Sequence, residues 1–500
     1  MSESLNGLNK VDTSLNQSVT EQGIISDTKD LLETFEALEH GSVLNKLLSE
    51  IKPINFREKA EFDGDKLAKK HYLICCVDEI LNVAIKNSWG LCRHNNFIYL
   101  YNGCFWDLVS NEEMQTFLGK AAEKMGIDKF DARYYTYKEQ LFKQFLSTSI
   151  LPKPADKNKS ILVNLLNGTF EISPYKQILR EPRSEDFLTY QLPFAFNKDA
   201  KAPIFQNFLN QVLPEVEKQM IISEFFGYLF IKQSVIKLEK ALLLYGNGAN
   251  GKSVIFDVIN ALLGGNKNVS NYSLHCLTEE KGYHRAMLAN MLLNYASEIS
   301  GNLEASIFKQ MASGEPIEAR LPSCNPFILT DYAKLIFNCN ELPFVTEHTH
   351  AFYRRFTIIP FDITIDEKDQ DRELSKRIID NELSGVFNWV LEGLRRLLEN
   401  KKLTYCASVN NQLELYKKQS DTVQLFLEDE HYSKSSIEYL PLQDLYSSYR
   451  CYCSESGYKP CSKKTFSERL KNINFVVERK SYGMAVFAKK DYLNITTQNT

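Results

Sequence analysis

No stretch of the 500-residue chain approaches the ~20 consecutive apolar residues needed to cross a bilayer. The opening residues, MSESLNGLNKVDTSLNQ, lack the apolar core of a secretory signal. The expectation is therefore a cytoplasmic protein without a membrane partner. Positive charge is not in excess either: 59 Lys and Arg face 63 Asp and Glu, for a net charge of −4. That excludes a uniformly basic coat, but not a local cationic channel, since binding depends on where the charges sit. Eleven cysteines supply no convincing disulfide or zinc framework. Cys75, Cys76 and Cys339 fall in apolar runs, where a buried thiol is the default. Cys451, Cys453 and Cys461 give CxC…C without a fourth ligand, and His348 and His350 in TEHTH read as solvated loop residues. Such usage suits a reducing compartment. No internal repeat is present.

What is there is an ordinary globular composition, long enough for about three domains at ~150 residues each. Residues 1–27 are rich in Ser, Asn, Thr and Gln and are expected to be disordered. A helical pattern covers 30–51, and 53–66 reads as a linker, so 1–66 is taken as an N-terminal extension. From 67 to 235 an α+β domain is expected. NFIYLYNGCFWDLV (96–109) predicts a hairpin around Asn102-Gly103, and SILVNLLNGTFEI (160–172) a second at Asn167-Gly168. Helices are expected at 203–212 and 215–233. From 240 to 365 apolar strands alternate with helices, the pattern of an α/β nucleotide-binding core. That core domain is bounded at 236–420, with a helical segment at 372–420 and a separate unit at 424–490.

LLLYGNGANGKSVIFDVINALLG (242–264) joins an apolar strand pattern to a glycine-rich turn and a helix pattern. From Gly246 to Gly251, Lys252 and Ser253 the spacing is G-x-x-x-x-G-K-[ST], a loop whose backbone N–H groups cradle phosphates. Gly246, Asn247, Gly248, Ala249, Asn250 and Gly251 form the predicted cradle, the three glycines permitting a tight backbone. Lys252 would reach the β- and γ-phosphates and Ser253 would bind Mg2+, so ATP and Mg2+ are the expected cofactors. NMLLNYASEIS (290–300) predicts an apolar strand ending in Glu298, 46 residues after Lys252. A carboxylate there can polarise the attacking water or help hold Mg2+. YAKLIFNCNELPFV (332–345) ends a further strand in Asn340, a γ-phosphate sensor or a turn cap. AFYRRFTIIPFD (351–362) sets Arg354 and Arg355 before a buried strand, where they serve either a salt bridge or a neighbouring subunit's triphosphate.

In this order the segments resemble the phage/plasmid primase–helicase type of superfamily-3 helicase, which includes satellite-phage and poxvirus replication primase-helicases. The resemblance rests on GNGANGKS, NYASEIS, FKQMASGEPIEARLPSCNPF, LIFNCNELP and FYRRFTIIPF across 240–365. It continues more weakly over 96–235 in YLYNGCFWD, LLNGTFEI and EPRSEDFLTYQLPFAF. It implies an AAA+-like P-loop ATPase, Gly251, Lys252 and Ser253 as Walker A, Glu298 as Walker B, Asn340 as sensor, and Arg354 or Arg355 as finger. Ser297 stands where family members often carry a second acidic residue. The resemblance further implies a hexameric ring pumping DNA through its centre. A hairpin at 309–329 would point into the channel, with Lys309 and Arg320 meeting phosphates sequence-independently.

At 424–490, PLQDLYSSYRCYCSESG, CSKKTFSERLKN and NFVVERKSYGMAVFAKK predict helix, helix and two strands, the order of a winged helix. Lys463, Lys464, Arg469 and Lys471, with Arg479 and Lys480, would form a duplex-binding cationic face; a protein-docking module is the alternative. Only about 66 residues precede the first expected folded region, so primer synthesis by this chain is not expected and a separate primase or initiator is a possible partner. Three functions compete: a DNA helicase of a mobile element, an ATP-switched origin-binding initiator or scaffold, and a small-molecule kinase. The last is poorly served by the sensor and tandem arginines.

Overall fold

A computed structural model describes residues 34–35, 40–87, 89–94, 97–149, 160–173, 177–297, 299, 303–322, 324–343, 347 and 349–491. The expected disorder of 1–27, the first part of the 30–51 helix, Glu298 and His348 lie outside them. Among the described residues the chain is mixed α/β, and no helix is long and apolar enough to cross a membrane.

The organising element is a five-stranded parallel sheet. Its strands are β1 (Ala241–Tyr245), β2 (Val269–Ser270), β3 (Leu293–Ala296), β4 (Lys334–Cys339) and β5 (Phe356–Pro360), ordered β5-β1-β4-β3-β2. Parallel strands need crossover connections, which cover both faces with helices and demand apolar residues on both sides. Hence ALLLY and FTIIP are nearly continuous apolar runs rather than alternating ones. Alternate residues still choose faces. Leu242, Leu244, Ile336 and Ile359 enter one core, with Ile255 and Ile259 of helix Lys252–Leu262 and Phe387 and Leu394 of helix Leu374–Asn400. Ala241, Leu243, Phe337 and Ile358 enter the other, with Phe308, Phe352 and Tyr416.

The expected boundary near 235 is not a packing boundary. Helices Pro203–Val212 and Val216–Tyr228 bury Phe205, Leu209, Ile222 and Phe226 in the same core as the sheet. That core also takes in an antiparallel meander, Ile161–Leu165, Gly168–Ile172 and Gln177–Arg180. The meander's first turn is Leu166-Asn167, one residue earlier than expected, because Leu165 pairs with Gly168 in the ladder. Gly168 (φ +133°) is needed there, since a Cβ would sit 2.5 Å from the Arg180 carbonyl oxygen.

A second core lies upstream. Helices Lys69–Lys86, Asn111–Met125 and Tyr135–Thr148 pack with the meander Leu91–His94, Phe97–Tyr101 and Trp106–Val109. Its hairpin turns at Asn102, whose side-chain oxygen accepts from the Cys104 and Phe105 amides. Ser110 and Glu113 cap helix Asn111–Met125 reciprocally, satisfying donors otherwise left orphaned at a helix start. The reading of 1–66 as an extension fails for residues 40–59. Helix His40–Glu50 buries Val43, Leu44 and Leu47 in this core, and Phe56 packs on Tyr72.

A third core closes residues 422–490 around Val423, Phe426, Leu445, Tyr449, Phe466, Leu470 and Val486. Helix Thr422–Asp429 and strand Leu440–Pro441 precede helices Leu442–Glu455 and Lys463–Asn472 and strands Val477–Lys480 and Gly483–Val486. The sequence reading missed the first helix, this short strand, and the pair Tyr432–Lys434 with Ala488–Lys490.

Helices Val216–Tyr228 and Leu374–Asn400 approach to backbone contact. A Cβ on Gly393 would lie 2.2 Å from the Ser223 carbonyl carbon, and one on Gly227 would lie 2.7 Å from Leu394 Cα. Neither neighbour is a flexible side-chain tip, so the helices must part. Gly393→Ala is expected to cost about 1–3 kcal/mol through overpacking, read as a lower urea midpoint; an unchanged midpoint would contradict this packing.

Candidate functional site

The loop after β1 is shaped by what presses on it. A Cβ on Gly246 would lie 2.5 Å from the Phe361 carbonyl oxygen, and one on Gly251 would lie 2.9 Å from Phe208 and Val212. Gly251 also takes φ +88° as the N-cap of helix Lys252–Leu262. Gly248 is different: a Cβ there meets nothing, so its predicted steric role is not required, and Ala249 instead adopts φ +55°. The loop is tied to the exit of β5, since Ile365 N–H donates to Ala249 O (2.7 Å) and Asn250 Nδ2 to Phe361 O (3.3 Å).

Lys252 is buried, and its Nζ donates to Gly246 O (2.6 Å), Asn247 O (3.0 Å) and Asn250 Oδ1 (2.9 Å). All three acceptors are neutral, and burial holds its pKa below the ordinary lysine value. Asn247, Gly248, Ala249 and Ser253 are exposed. Asn340 is exposed immediately beyond β4, whose last residue, Cys339, accepts from Gly246 N–H (3.1 Å). The loop and Asn340 therefore share the C-terminal end of the sheet, where β3 also ends at Ala296. Residues that the sequence offered no sign of support this end: Lys218, 142 residues from Pro360, donates to its carbonyl (3.0 Å) and to Asp362 (3.1 Å).

Arg354 and Arg355 stand at the opposite end. Arg355 O accepts from Ala241 N–H (2.7 Å), so both arginines precede β5 where β1 begins. A five-residue strand spans about 15 Å, which keeps them from their own chain's loop. Their environments differ. Arg355 is buried, donating to Ser313 Oγ (2.8 and 3.1 Å) and Ala351 O (3.0 Å). Arg354 has a half-exposed side chain and pairs with Glu239 (3.1 Å).

Several predicted DNA contacts sit elsewhere than expected. Lys309 is on helix Ala305–Ala312, not in a hairpin, and pairs with Glu347 (2.8 Å). The hairpin itself is Ile317–Ala319 with Phe327–Leu329, and Arg320 is exposed at its loop, its Nε donating to Cys324 O (2.9 Å). In the C-terminal unit Arg469 turns inward to Asp421 (3.4 Å) and does not join a cationic face. Lys463 donates to Gln443, and Lys480 lies over the Phe487 and Tyr439 rings at 4.9 and 5.4 Å. Lys464 and Lys471 are exposed on one helix face with Glu468 between them, and Arg479 is exposed on the following strand.

Three family models match parts of the chain: D5 N terminal like at 85–214, a family of unknown function (DUF5906) at 244–355, and poxvirus D5 protein-like at 418–498. "Putative helicase 184R" of Invertebrate iridescent virus 6 is 24% identical over 326 residues, covering 55% of this chain and 32% of that protein. "Putative helicase 121R" of Invertebrate iridescent virus 3 is 22% identical over 337 residues, covering 58% and 34%. These matches support a primase-helicase-type family. The chain spans about a third of the length of the curated relatives it matches. Among solved structures, the A form of the NrS-1 C terminal region is 12% identical, covers 82% of this chain and 98% of that one, and has a TM-score of 0.44. The 244–355 match runs from the end of β1 through the glycine loop and Asn340 to Arg355.

A cavity of about 310 Å3 lies beside the N-terminal end of the sheet and is lined by Tyr99, Phe187, Tyr332 and Lys334 among others. Lys334 begins β4, with its ammonium over the Tyr228 ring at 4.7 Å. Burial pushes its pKa down to about 8, against the pull of Asp331. An unfolded lysine titrates near ~10.4, so between those values the native chain binds fewer protons than the unfolded one. This lysine's destabilising effect is therefore full below pH 8 and relieved as pH rises. Lys334→Met is expected to raise the urea midpoint at pH 7 and to flatten its rise between pH 8 and 10; parallel pH profiles for the two proteins would contradict the burial argument.

Proposed function

We propose that the chain is an ATP-dependent DNA helicase acting in replication of a phage, plasmid or similar element. It would work as an AAA+-like, superfamily-3 ring, with six subunits the expected number. The observation that carries this reading is the polarity of the sheet: a phosphate-type loop at one end and a half-exposed arginine at the other. A subunit so built completes its site only against a neighbour.

The loop's residues fit a triphosphate. Lys252 is a buried cation whose acceptors are all neutral, so an anionic chain would improve its electrostatics, and the exposed residues Asn247 to Ala249 would line it. Ser253 and Glu298 are proposed to hold Mg2+, which when bound neutralises charge on the phosphates. Glu298 would orient the attacking water and Asn340 would sense the γ-phosphate. Arg354 is favoured over Arg355 as the finger because Arg355 is buried in its own chain's hydrogen bonds.

For DNA, Arg320 on the hairpin remains the channel candidate. The 424–490 unit is proposed as a winged helix meeting duplex through Lys464, Lys471 and Arg479. Helix, two strands, two helices and three further strands around one core support that reading.

Lys252→Ala should lower ATP hydrolysis at least about a hundredfold with circular dichroism unchanged; wild-type turnover would refute the loop's assignment. Arg354→Ala and Glu298→Gln subunits should each be inactive alone and regain hydrolysis when mixed, because mixed seams unite an intact arginine with an intact carboxylate. Mixtures silent at every ratio would count against action in trans. Strand separation on forked DNA, fuelled by ATP, distinguishes a helicase from an initiator that only assembles.

A further inference from the structure

Between β2 and β3, two short helices, Leu274–Thr278 and Tyr283–Ala286, bring Cys276, Glu279 and His284 together. The thiol sulfur, a carboxylate oxygen and an imidazole nitrogen all lie within 4.8 Å of one another. His284 Nδ1 is buried and has no hydrogen-bond partner, which is costly for an imidazole nitrogen. Glu279 Oε2 is its neighbour at 3.6 Å, too far for a hydrogen bond. Two donors bound tetrahedrally at ~2.0–2.2 Å stand about 3.3–3.6 Å apart, so this spacing suits a metal ion between them. Thiolate and carboxylate together carry two negative charges, which balance a divalent ion.

We propose that Cys276, Glu279 and His284 form a transition-metal site, with zinc the fitting ion and a solvent molecule as fourth ligand. The softness of the set points the same way: thiolate with imidazole selects zinc over magnesium or calcium, which take oxygen ligands. This site is separate from the glycine loop and uses none of its residues.

The position gives the metal something to hold. The intervening segment is clamped by Arg285, which donates to Leu277 O (3.2 Å), Glu280 O (3.3 Å) and Glu318 O (2.9 Å). Arg320 N–H in turn donates to Gly282 O (3.3 Å). The base of the hairpin Ile317–Leu329 thus hangs from the same segment that the three ligands would staple, and metal binding would stiffen the hairpin's root.

Cobalt(II) added to the metal-free 500-residue chain should give a thiolate-to-cobalt charge-transfer band at one equivalent, displaced by zinc. The band should vanish in Cys276→Ser and weaken at least about tenfold in affinity in His284→Gln. It should persist in Cys324→Ser and Cys451→Ser, which remove exposed thiols outside the cluster. A readout needing no variant follows alkylation: zinc should slow iodoacetamide modification of Cys276 at least tenfold while Cys324 and Cys451 react at unchanged rates. A band that survives Cys276→Ser, no band at all, or a Cys276 alkylation rate indifferent to zinc overturns the proposal.

Discussion

The direction of one sheet governs the rest. Because β1, β3, β4 and β5 are parallel, every chain segment leaving a strand emerges at one end, and every segment entering emerges at the other. The glycine loop and Asn340 leave strands; Arg354 and Arg355 enter one. No side-chain rotation spans the sheet, so the two groups cannot meet within one subunit. The proposed requirement for a neighbour is thus a consequence of topology.

The loop itself is held both by close packing and by hydrogen bonds to the exits of β4 and β5. Gly246 touches the exit of β5 and Gly251 touches Phe208 and Val212, so a strand and a helix separated from it by dozens of residues fix its curvature. The neutral oxygens around Lys252 then satisfy a buried ammonium without pairing it. A cation so held is hydrogen-bonded yet electrostatically uncompensated, and desolvation lowers its pKa. This is a resting state that an anion would improve.

How much of this was legible beforehand depends on the range of the interaction. The strand–loop–helix around GNGANGKS, both antiparallel hairpins and the buried strand after Arg355 could be read because periodicity and turn residues are local signals. Lys309 was misread because a helix and a hairpin share the run FKQMASGEPIEAR, and only packing of Phe308 and Met311 into the core shows where the helix ends. Arg469 looked like part of a basic face until Asp421, 48 residues away, drew it inward. Helix His40–Glu50 passed for an extension because its partners, such as Val77 and Leu118, lie beyond the apparent linker. The cluster of Cys276, Glu279 and His284 has regular local spacing, yet no motif announces it; the turn at Gly282 (φ +72°) brings the ligands together.

The charges at the entering end of the sheet carry the argument for an outside partner one step further. Lys240 donates to Arg354 O (2.6 Å), and burial and the two arginines lower its pKa. Among the described residues, Glu239 is the carboxylate within 4.0 Å of Arg354 and Arg355. Lys237, Lys240, Arg354 and Arg355 gather near Glu239, with Glu315 reached through Lys237, and these cations repel one another. A half-exposed Arg354 beside that surplus makes sense if an anion from beyond the chain shares it. A neighbouring subunit's triphosphate is the anion that the opposite end of the same sheet is proposed to hold.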